Sequence, residues 1–251
     1  MRIVILGAGR VATHMAKALH KNGHKIDAVW SRTMESAQRL ARVVDSSPVN
    51  DISVLPTDAD AYIIAVKDSA LQEVIAKATK GREGSLFLHT AGSMPLSVFE
   101  GYAKNGGVFY PMQTFSMERE VDFRAIPLFI EGADARIRQL AESISEHVYE
   151  LSSDDRKYLH LAAVFACNFA NHCYTLAAEV LEKKGLPFDV MLPLVDETAR
   201  KVHELHPKEA QTGPAIRGDK NVMAAQAALL DSRMQAIYNL MSESIQEKNH
   251  K

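Results

Sequence analysis

Cysteine is scarce in this chain of 251 residues, which contains only 2. Cys167 and Cys173 lie six positions apart in a helical pattern, so their side chains point about 120° away from each other. They cannot form a disulfide within that helix, and no Cys-x-x-Cys motif indicates a zinc site. The sequence therefore predicts a reduced, cytoplasmic protein without a metal site.

An excess of one charge is also lacking, as are long hydrophobic runs. The 29 Lys and Arg residues nearly balance 31 Asp and Glu, so the charge predicts neither nucleic acid nor an anionic membrane as a partner. The strongest internal apolar stretch, residues 161–167, is far shorter than the ~20 residues of a membrane-spanning helix. The apolar run within residues 1–7 is too short for a signal peptide. We expect a small-molecule substrate instead.

Glycine becomes rare in the second part of the chain, since 10 of the 13 glycines precede residue 152. The earlier part alternates β-like runs with amphipathic segments. Strands are predicted at residues 2–6, 26–31, 61–66, 85–89, 107–110 and 127–131, and helices at 11–21, 34–42, 69–79 and 135–147. This alternation is typical of a doubly wound, mostly parallel sheet of Rossmann type with helices on both faces.

After residue 152 the pattern changes to long helical stretches. They cover residues 155–184, 187–203 and 219–247, and a loop at 207–218 contains two prolines and two glycines. We therefore predict an α/β domain at residues 1–152, followed by an all-α domain at residues 153–251.

The first predicted strand runs directly into the sequence GAGRVA, a G-x-G-x-x-A motif typical of dinucleotide sites. In such a turn Gly7 permits the sharp bend, Gly9 lets the backbone approach a diphosphate, and Ala12 keeps the helix close to the strand. Arg10 and Val11 begin the helix, whose unpaired N–H groups would face the phosphates. The position between strand and helix favours a nucleotide site over a glycine turn without a ligand.

The residues after the second predicted strand favour NADP over NAD. An NAD site usually places a carboxylate about 20 residues past the motif, to bind the ribose 2′-hydroxyl. Here that region reads Ser31-Arg32-Thr33, whereas Asp27 comes too early in the strand. Arg32 can bind a 2′-phosphate, and the two hydroxyl groups can donate hydrogen bonds to it. The alternative is that Arg32 is a solvated charge at the end of a strand.

Three further predicted strands end in polar or small residues. Because ligands bind at the carboxyl ends of parallel strands, we expect these ends to line the same site. Cofactor contacts are predicted for Val66, Lys67, His89 and Thr90, and substrate contacts for Ser93 and Gln113. Asp68 is expected to cap the helix that follows. For Ser93, capping of the helix after Pro95 is an equal alternative.

Polar residues recur on one face of the predicted helix at 155–184. At 100° per residue, a sector of about 80° contains Lys157, His160, Asn168, Asn171, His172 and Thr175. The opposite face is apolar, so the helix should be buried on most sides and its polar stripe should line a ligand cleft. We predict that His160, or as second choice Lys157, donates a proton to a substrate that Asn171 contacts. Hydrogen bonds at a helix–helix or subunit contact are the alternative.

The loop at residues 211–219 carries a second group of candidates. Thr212 and Gly213 are predicted to close over the nicotinamide or the substrate, and Arg217 to bind a substrate carboxylate. Asp219 is expected to cap the last long helix. Pairing of Arg217 with Asp219, which would only stabilise the loop, is the alternative.

The motifs GAGRVATHMAKAL, SRT, AVKD, HTAGS, YPMQTFS and AQTGPAIRGD together resemble a family of bacterial proteins. These have a Rossmann-like NADP-binding domain and a C-terminal helical domain of unknown function. More distantly, the chain is similar to pyrroline-5-carboxylate reductase, ketopantoate reductase and the 6-phosphogluconate dehydrogenase superfamily. The resemblance implies NADP as cofactor, a helical domain that often dimerises, and an active site between the domains.

In the related dehydrogenases a Lys four residues before an Asn often transfers the proton. Asn168 matches the Asn and is therefore a catalytic candidate, but Val164 stands at the Lys position. We predict an NADP-dependent oxidoreductase that acts on a small polar oxo acid or imine. Val164 favours the alternative, a sensor that binds NADP(H) without turnover and acts through its helical dimer.

Overall fold

A computed structural model describes residues 1–249 of the chain. The chain divides into two compact units, Met1–Cys167 and Asn168–Lys251. The last strand ends at Glu150, and the first helix of the helical part begins at Ser153 and belongs to the first unit. The domain boundary at 152/153 stays a prediction. Within residues 1–249 no helix has both the length and the apolar character that a membrane span requires.

The first unit is built on one eight-stranded sheet, with strand order β3-β2-β1-β4-β5-β6-β7-β8. The strands are β1 Arg2–Leu6, β2 Lys25–Trp30, β3 Ser47–Val49, β4 Ala61–Ile64, β5 Leu86–His89, β6 Asn105–Pro111, β7 Leu128–Glu131 and β8 Val148–Glu150. The strands β1 to β6 run parallel, and β7 pairs with β6 in antiparallel orientation. The predicted Rossmann-type α/β fold is therefore confirmed.

Helices of the first unit cover both faces of the sheet. They are α1 Arg10–Lys21, α2 Met34–Val43, α3 Asp68–Ala78, α4 Ala135–Ile144 and α5 Ser153–Ala163. Because side chains alternate along β1, Ile3 and Ile5 pack in one core with α1 and α4, while Val4 and Leu6 pack in a second core with α3. Both faces of the central strands are apolar, which explains their continuous hydrophobic runs.

The predicted strands are confirmed to within two residues at each end, but β3 and β8 were missed. Both have three residues and lie at the edges of the sheet, too short for a period-2 pattern. The prediction of a helix to residue 147 is wrong, since α4 ends at Ile144. The backbone of Ser145 is extended and leads the chain toward β8. The Ser145 hydroxyl donates a hydrogen bond to the carbonyl of Ile126.

The second unit is helical, with α6 Ala170–Glu182, α7 Leu192–Glu204, α8 Lys220–Ala227 and α9 Ser232–Asn249. The predicted single helix at 219–247 is wrong. It divides in two because the Asp231 carboxylate accepts hydrogen bonds from the N–H groups of Arg233 and Met234 and begins a new helix there. The predicted helix at 187–203 begins as a 3₁₀ turn, Phe188–Met191, before α7.

The predicted helical stretch at 155–184 is present from Ser153 to Glu182, but it is not α-helical throughout. A six-residue π-helical segment, Val164–Phe169, separates α5 from α6. Because π turns contain more residues than α turns, a uniform rotation of 100° per residue does not apply across this segment. The polar stripe from Lys157 to Thr175 was derived from that rotation, so the structure provides no continuous stripe.

Candidate functional site

The turn between β1 and α1 has the geometry of a phosphate-binding loop. Gly7 has φ +128°, and a Cβ atom there would lie 2.2 Å from the carbonyl oxygen of Ala65. Gly9 is extended and is the N-cap of α1, with open space where a Cβ would be. No acidic residue occupies the first turn of α1, and no side chain within residues 1–249 caps this helix. Its free N–H groups at Arg10, Val11 and Ala12 are therefore suited to an anion.

A cleft of about 610 Å³ lies beside this turn, at the carboxyl ends of β1, β2 and β4. Its apolar lining comes from Ile52, Val66, Ala70 and Val74. Its polar lining includes Ser31, Arg32, Lys67, Glu73 and Lys77. The cleft therefore combines an apolar slot, suited to an adenine ring, with cations suited to phosphate groups.

Arg32 is exposed on this cleft and forms no salt bridge within residues 1–249. Glu73 of the cleft wall pairs with Lys77 at 2.6 Å; that hydrogen bond lowers the pKa of Glu73, and Arg32 lowers it further. Asp27 is instead paired with Arg2 at 2.7 Å inside the strand. The guanidinium of Arg32 is therefore available to a ligand, whereas Asp27 is not.

The hydroxyl groups flanking Arg32 are also near the cleft. Ser31 lines it, and the hydroxyl of Thr33 donates to that of Ser36 at 2.9 Å. Thr33 is the N-cap residue of α2, but its side chain makes no capping bond. The predicted roles of Ser31 and Thr33 in binding a 2′-phosphate stay predictions.

The residues after β4 and β5 are joined by a side-chain hydrogen bond. Asp68 was expected to cap α3, but Lys67 is the N-cap residue. Asp68 lies in the first turn, and its carboxylate accepts a hydrogen bond from the Ser93 hydroxyl. Capping by Ser93 of the helix after Pro95 is likewise wrong, because Pro95 itself is the N-cap of that short 3₁₀ helix. Ser93 is exposed, and its predicted contact with a substrate stays a prediction.

His89 ends β5 and is completely buried. Its Nδ1 accepts a hydrogen bond from the N–H of Ala91 at 3.2 Å, which shapes the turn toward Gly92. Burial, with the nearby positive charge of Arg156, lowers the pKa of His89 to about 4. The side chain has no surface that a cofactor could contact here. Thr90 is half-buried, and its N–H donates to the carbonyl of Ile64.

This burial predicts a pH-dependent stability. The unfolded chain takes up a proton at His89 near pH 6.5, whereas the folded protein does so only near about 4. The free energy of unfolding should therefore fall by up to about 3 kcal/mol as the pH is lowered through this window. Urea unfolding at several pH values should show a shallower dependence in His89→Gln than in wild type. The exposed His172→Gln is the control and should show the same pH dependence as wild type. An equal pH dependence of the free energy of unfolding in wild type and His89→Gln would contradict the prediction.

The sequence missed a contact between Tyr110 and His160. The Tyr110 hydroxyl lies 3.1 Å from Nδ1 of His160, and their rings meet edge-on at 75°. Gly92 lies between the strand end and these rings, where a Cβ would be 2.6 Å from Nδ1 of His160. Burial raises the pKa of Tyr110, although Arg156 opposes that shift. These residues come from the carboxyl ends of β5 and β6 and from α5.

An ion pair between the buried Arg156 and the half-buried Glu131 holds α5 in this position. Arg156 is 1% exposed, pairs with Glu131 at 2.6 Å and donates to the carbonyl of Met94 at 2.6 Å. Ser153 donates to Glu131 and accepts from the N–H of Leu96. Burial raises the pKa of Glu131, but the hydrogen bonds from Ser153 and Arg156 outweigh it and bring that pKa below its usual value. The anchored helix fixes His160, one turn further on.

The remaining candidates of the first unit, Lys157 and Gln113, are exposed and bond to neighbouring residues of the chain. Lys157 is exposed and pairs with Asp154 at 2.9 Å. Gln113 is exposed, and its side-chain oxygen accepts from the N–H of Thr114. The apolar side of the segment that follows His160 was expected to be buried, yet Leu161, Phe165 and Phe169 are at least half exposed within one chain.

Other candidates lie in the second unit. Asn168, Asn171, Thr212 and Arg217 are exposed, and Gly213 has φ +111°. Asp219 caps a helix as predicted, accepting from the N–H of Val222, although this helix is the short α8. No ion pair joins Arg217 to Asp219 in the described chain. The ligand roles of these residues stay predictions.

Comparisons with known proteins agree with this architecture. Residues 1–113 match a family described as a Rossmann-like domain, and residues 126–245 match a domain of unknown function, DUF2520. A putative NADP oxidoreductase from Bacteroides fragilis is 52% identical, with 98% of each chain covered and a TM-score of 0.94. No protein with a curated functional description matches the chain.

More distant solved structures share the fold. A protein from Thermotoga maritima is 21% identical, covering 99% of this chain and 98% of its own, with a TM-score of 0.72. An imine reductase from Myxococcus stipitatus, in complex with NADP⁺, is 16% identical and has a TM-score of 0.73. The match covers 98% of this chain and 93% of the reductase. At these identities the likeness extends to the fold alone. The near relative from Bacteroides fragilis shows the family: this chain belongs to the Rossmann-like proteins that carry a C-terminal DUF2520 domain.

Proposed function

We propose that this protein is an NADP-dependent oxidoreductase that transfers hydride between NADP(H) and a small polar oxo acid or imine. The observation that carries the proposal is the cleft beside the Gly7–Gly9 turn, in which Arg32 has no salt-bridge partner among residues 1–249. The Bacteroides fragilis relative, named as an NADP oxidoreductase, and the imine reductase with NADP⁺ support it.

The residues of the cleft fit this cofactor. Open space at Gly9 and the uncapped start of α1 suit the diphosphate, and the free guanidinium of Arg32 suits the 2′-phosphate. Ser31, Thr33, Val66 and Lys67 are proposed to complete the contacts. When bound, NADPH supplies the hydride, and the chain must supply a proton.

His160 is the proposed proton donor. It is half-buried, fixed by its contact with Tyr110, and lies near the carboxyl ends of β5 and β6, the edge on which the cofactor turn also lies. Lys157 is a weaker candidate because Asp154 already binds its ammonium group. Proton donation by a positioned histidine is the usual partner of hydride transfer to a C=O or C=N bond.

The test is an assay of NADPH oxidation with oxo acids, cyclic imines and aldehydes as substrates. We expect turnover with at least one oxo acid or imine, and faster turnover with NADPH than with NADH. Tight NADPH binding without turnover on any class would favour the second candidate function, a non-catalytic NADP(H) sensor. Val164, in place of the Lys of related dehydrogenases, is the residue that favours the sensor.

We also propose that the protein is a homodimer through its helical unit. Among the described residues of this unit, only Ala215, Ala227, Met234 and Ser242 are buried. An apolar cleft of about 340 Å³ is open between α6 and α9, lined by Leu176, Val180, Leu181, Ile237 and Met241 among others. A helical unit with so small a core is not expected to be stable alone, and the exposed apolar surface indicates a partner helix.

Light scattering should therefore give twice the 27.7 kDa mass of one chain, and the Tm should fall on dilution. Val180→Asp places a charge in the apolar cleft and should lower both the dimer fraction and the Tm. The neighbouring exposed Glu179→Gln serves as its control and should change neither. A monomer at micromolar concentration with a concentration-independent Tm would refute the dimer.

A further inference from the structure

Tyr110 and His160 form a pair that no motif connects, since they lie 50 positions apart in the sequence. We infer that Tyr110 is a positioning residue: its hydroxyl donates to Nδ1 of His160 and thereby holds the imidazole proton on Nε2. The use of that proton in catalysis rests on the proposed function, whereas the tautomer itself does not.

The burial of Tyr110 favours one direction for the hydrogen bond, in which the hydroxyl donates and Nδ1 accepts. The Tyr110 hydroxyl lies in a largely buried side chain, and in residues 1–249 its only hydrogen-bond partner is Nδ1 of His160, at 3.1 Å. If Nδ1 carried the proton, the hydroxyl hydrogen would have no acceptor among residues 1–249, and leaving a donor unsatisfied inside a protein costs about 1–3 kcal/mol. With the hydroxyl as donor, both groups are satisfied, and the proton of neutral His160 lies on Nε2.

Gly92 makes this contact possible. The backbone of the turn after β5 passes so close to the two rings that a Cβ at Gly92 would lie 2.6 Å from Nδ1 of His160 and 3.0 Å from Cζ of Tyr110. Any larger residue would push the rings apart. The turn therefore closes one side of the pair, which holds Nδ1 toward Tyr110.

The surroundings hold both partners rigidly. Tyr110 lies near the end of β6, which pairs with β5 on one side and β7 on the other. His160 lies on α5, which the ion pair between the buried Arg156 and Glu131 attaches to β7. A histidine whose second nitrogen is fixed by a hydrogen bond has a defined tautomer and ring orientation, as a proton donor in a site requires.

The test is ¹⁵N–¹H NMR of the imidazole groups in the full-length protein labelled with ¹⁵N-histidine. His160→Gln assigns the His160 signals by their disappearance. We expect wild-type His160 in its neutral form to show a protonated Nε2 and an acceptor Nδ1. In Tyr110→Phe the two nitrogens should move toward the averaged shifts of a tautomer mixture, whereas Tyr149→Phe, an exposed tyrosine that contacts Phe129, should leave them unchanged.

A protonated Nδ1 in the wild-type spectrum, or an unchanged His160 spectrum in Tyr110→Phe, would overturn the inference. The wild-type result decides the matter even if Tyr110→Phe fails to fold. The experiment needs neither cofactor nor substrate, so it is independent of the search for turnover. If the protein does reduce a substrate, Tyr110→Phe should lower kcat by about tenfold at unchanged NADPH affinity, the loss expected for one positioning hydrogen bond.

Discussion

Gly7→Ala is expected to lower the free energy of unfolding by at least about 3 kcal/mol. The φ of +128° at this position is strained for any residue with a Cβ, which costs about 1–3 kcal/mol by itself. The added Cβ would also lie 2.2 Å from the carbonyl oxygen of Ala65, in the chain that directly follows the central strand β4. Because that backbone cannot move without disturbing the sheet, the clash adds to the strain. Urea unfolding measures the loss.

Gly9→Ala is the matched comparison, two residues away in the same turn. Gly9 has φ −82°, and no atom of the described residues lies within 4 Å of the position that a Cβ would take. The free energy of unfolding should therefore fall by no more than about 1 kcal/mol. Its affinity for NADPH should nevertheless fall at least about tenfold, because the methyl group takes the space through which the diphosphate approaches the backbone. Equal stability losses in both variants, or undiminished NADPH binding by Gly9→Ala, would contradict this account of the turn.

His160→Ala is expected to lower kcat by about a hundredfold or more, with little change in the Kd for NADPH. A positioned general acid contributes about 10²- to 10⁴-fold, and His160 is anchored near the strand ends but is absent from the lining of the nucleotide cleft. The measurement compares steady-state kcat with the substrate found in the screen and cofactor affinity by fluorescence or calorimetry.

Lys157→Met is the control for His160→Ala, because Lys157 lies one turn earlier on α5 but is paired with Asp154 at the surface. It should change kcat by less than about threefold, as expected for the loss of an exposed ion pair. Full turnover in His160→Ala would exclude this histidine as the donor. A large loss in Lys157→Met with an active His160→Ala would assign the proton to the lysine instead.

The fold was predictable where the chain carries local signals. Buried strands such as β1, β4 and β5 are short apolar runs followed by helices, and this alternation specifies a parallel sheet. The edge strands β3 and β8 lacked a pattern because three residues show no periodicity. The π-helical segment at Val164–Phe169 has no hydrophobic signature of its own, and a rotation of 100° per residue, which puts Asn168 and Asn171 on one stripe with His160, does not hold across it.

Only the part of the candidate site formed by residues close together in the sequence was predictable. Gly7, Gly9 and Arg32 belong to one strand–turn–helix unit and the next strand end, so their chemistry follows from short-range sequence. The pair of Tyr110 and His160 depends on the order of β5 and β6 and on the docking of α5 through Arg156. Such a long-range contact has no periodic signature. The predicted cofactor contact of His89 is wrong although its signal is local. A polar residue at the end of a strand suggests a ligand contact, but the side chain of His89 is completely buried.

Titration calorimetry with NADPH and NADH tests the NADP site most directly, using wild type, Arg32→Ser and the exposed control Arg39→Ser. We predict that wild type binds NADPH at least about tenfold more tightly than NADH, since Arg32 makes a charged contact with the 2′-phosphate. Arg32→Ser should lose most of that difference while keeping its affinity for NADH, and Arg39→Ser should behave as wild type. Absence of heat with both coenzymes, or tighter binding of NADH by the folded wild-type protein, would contradict the account.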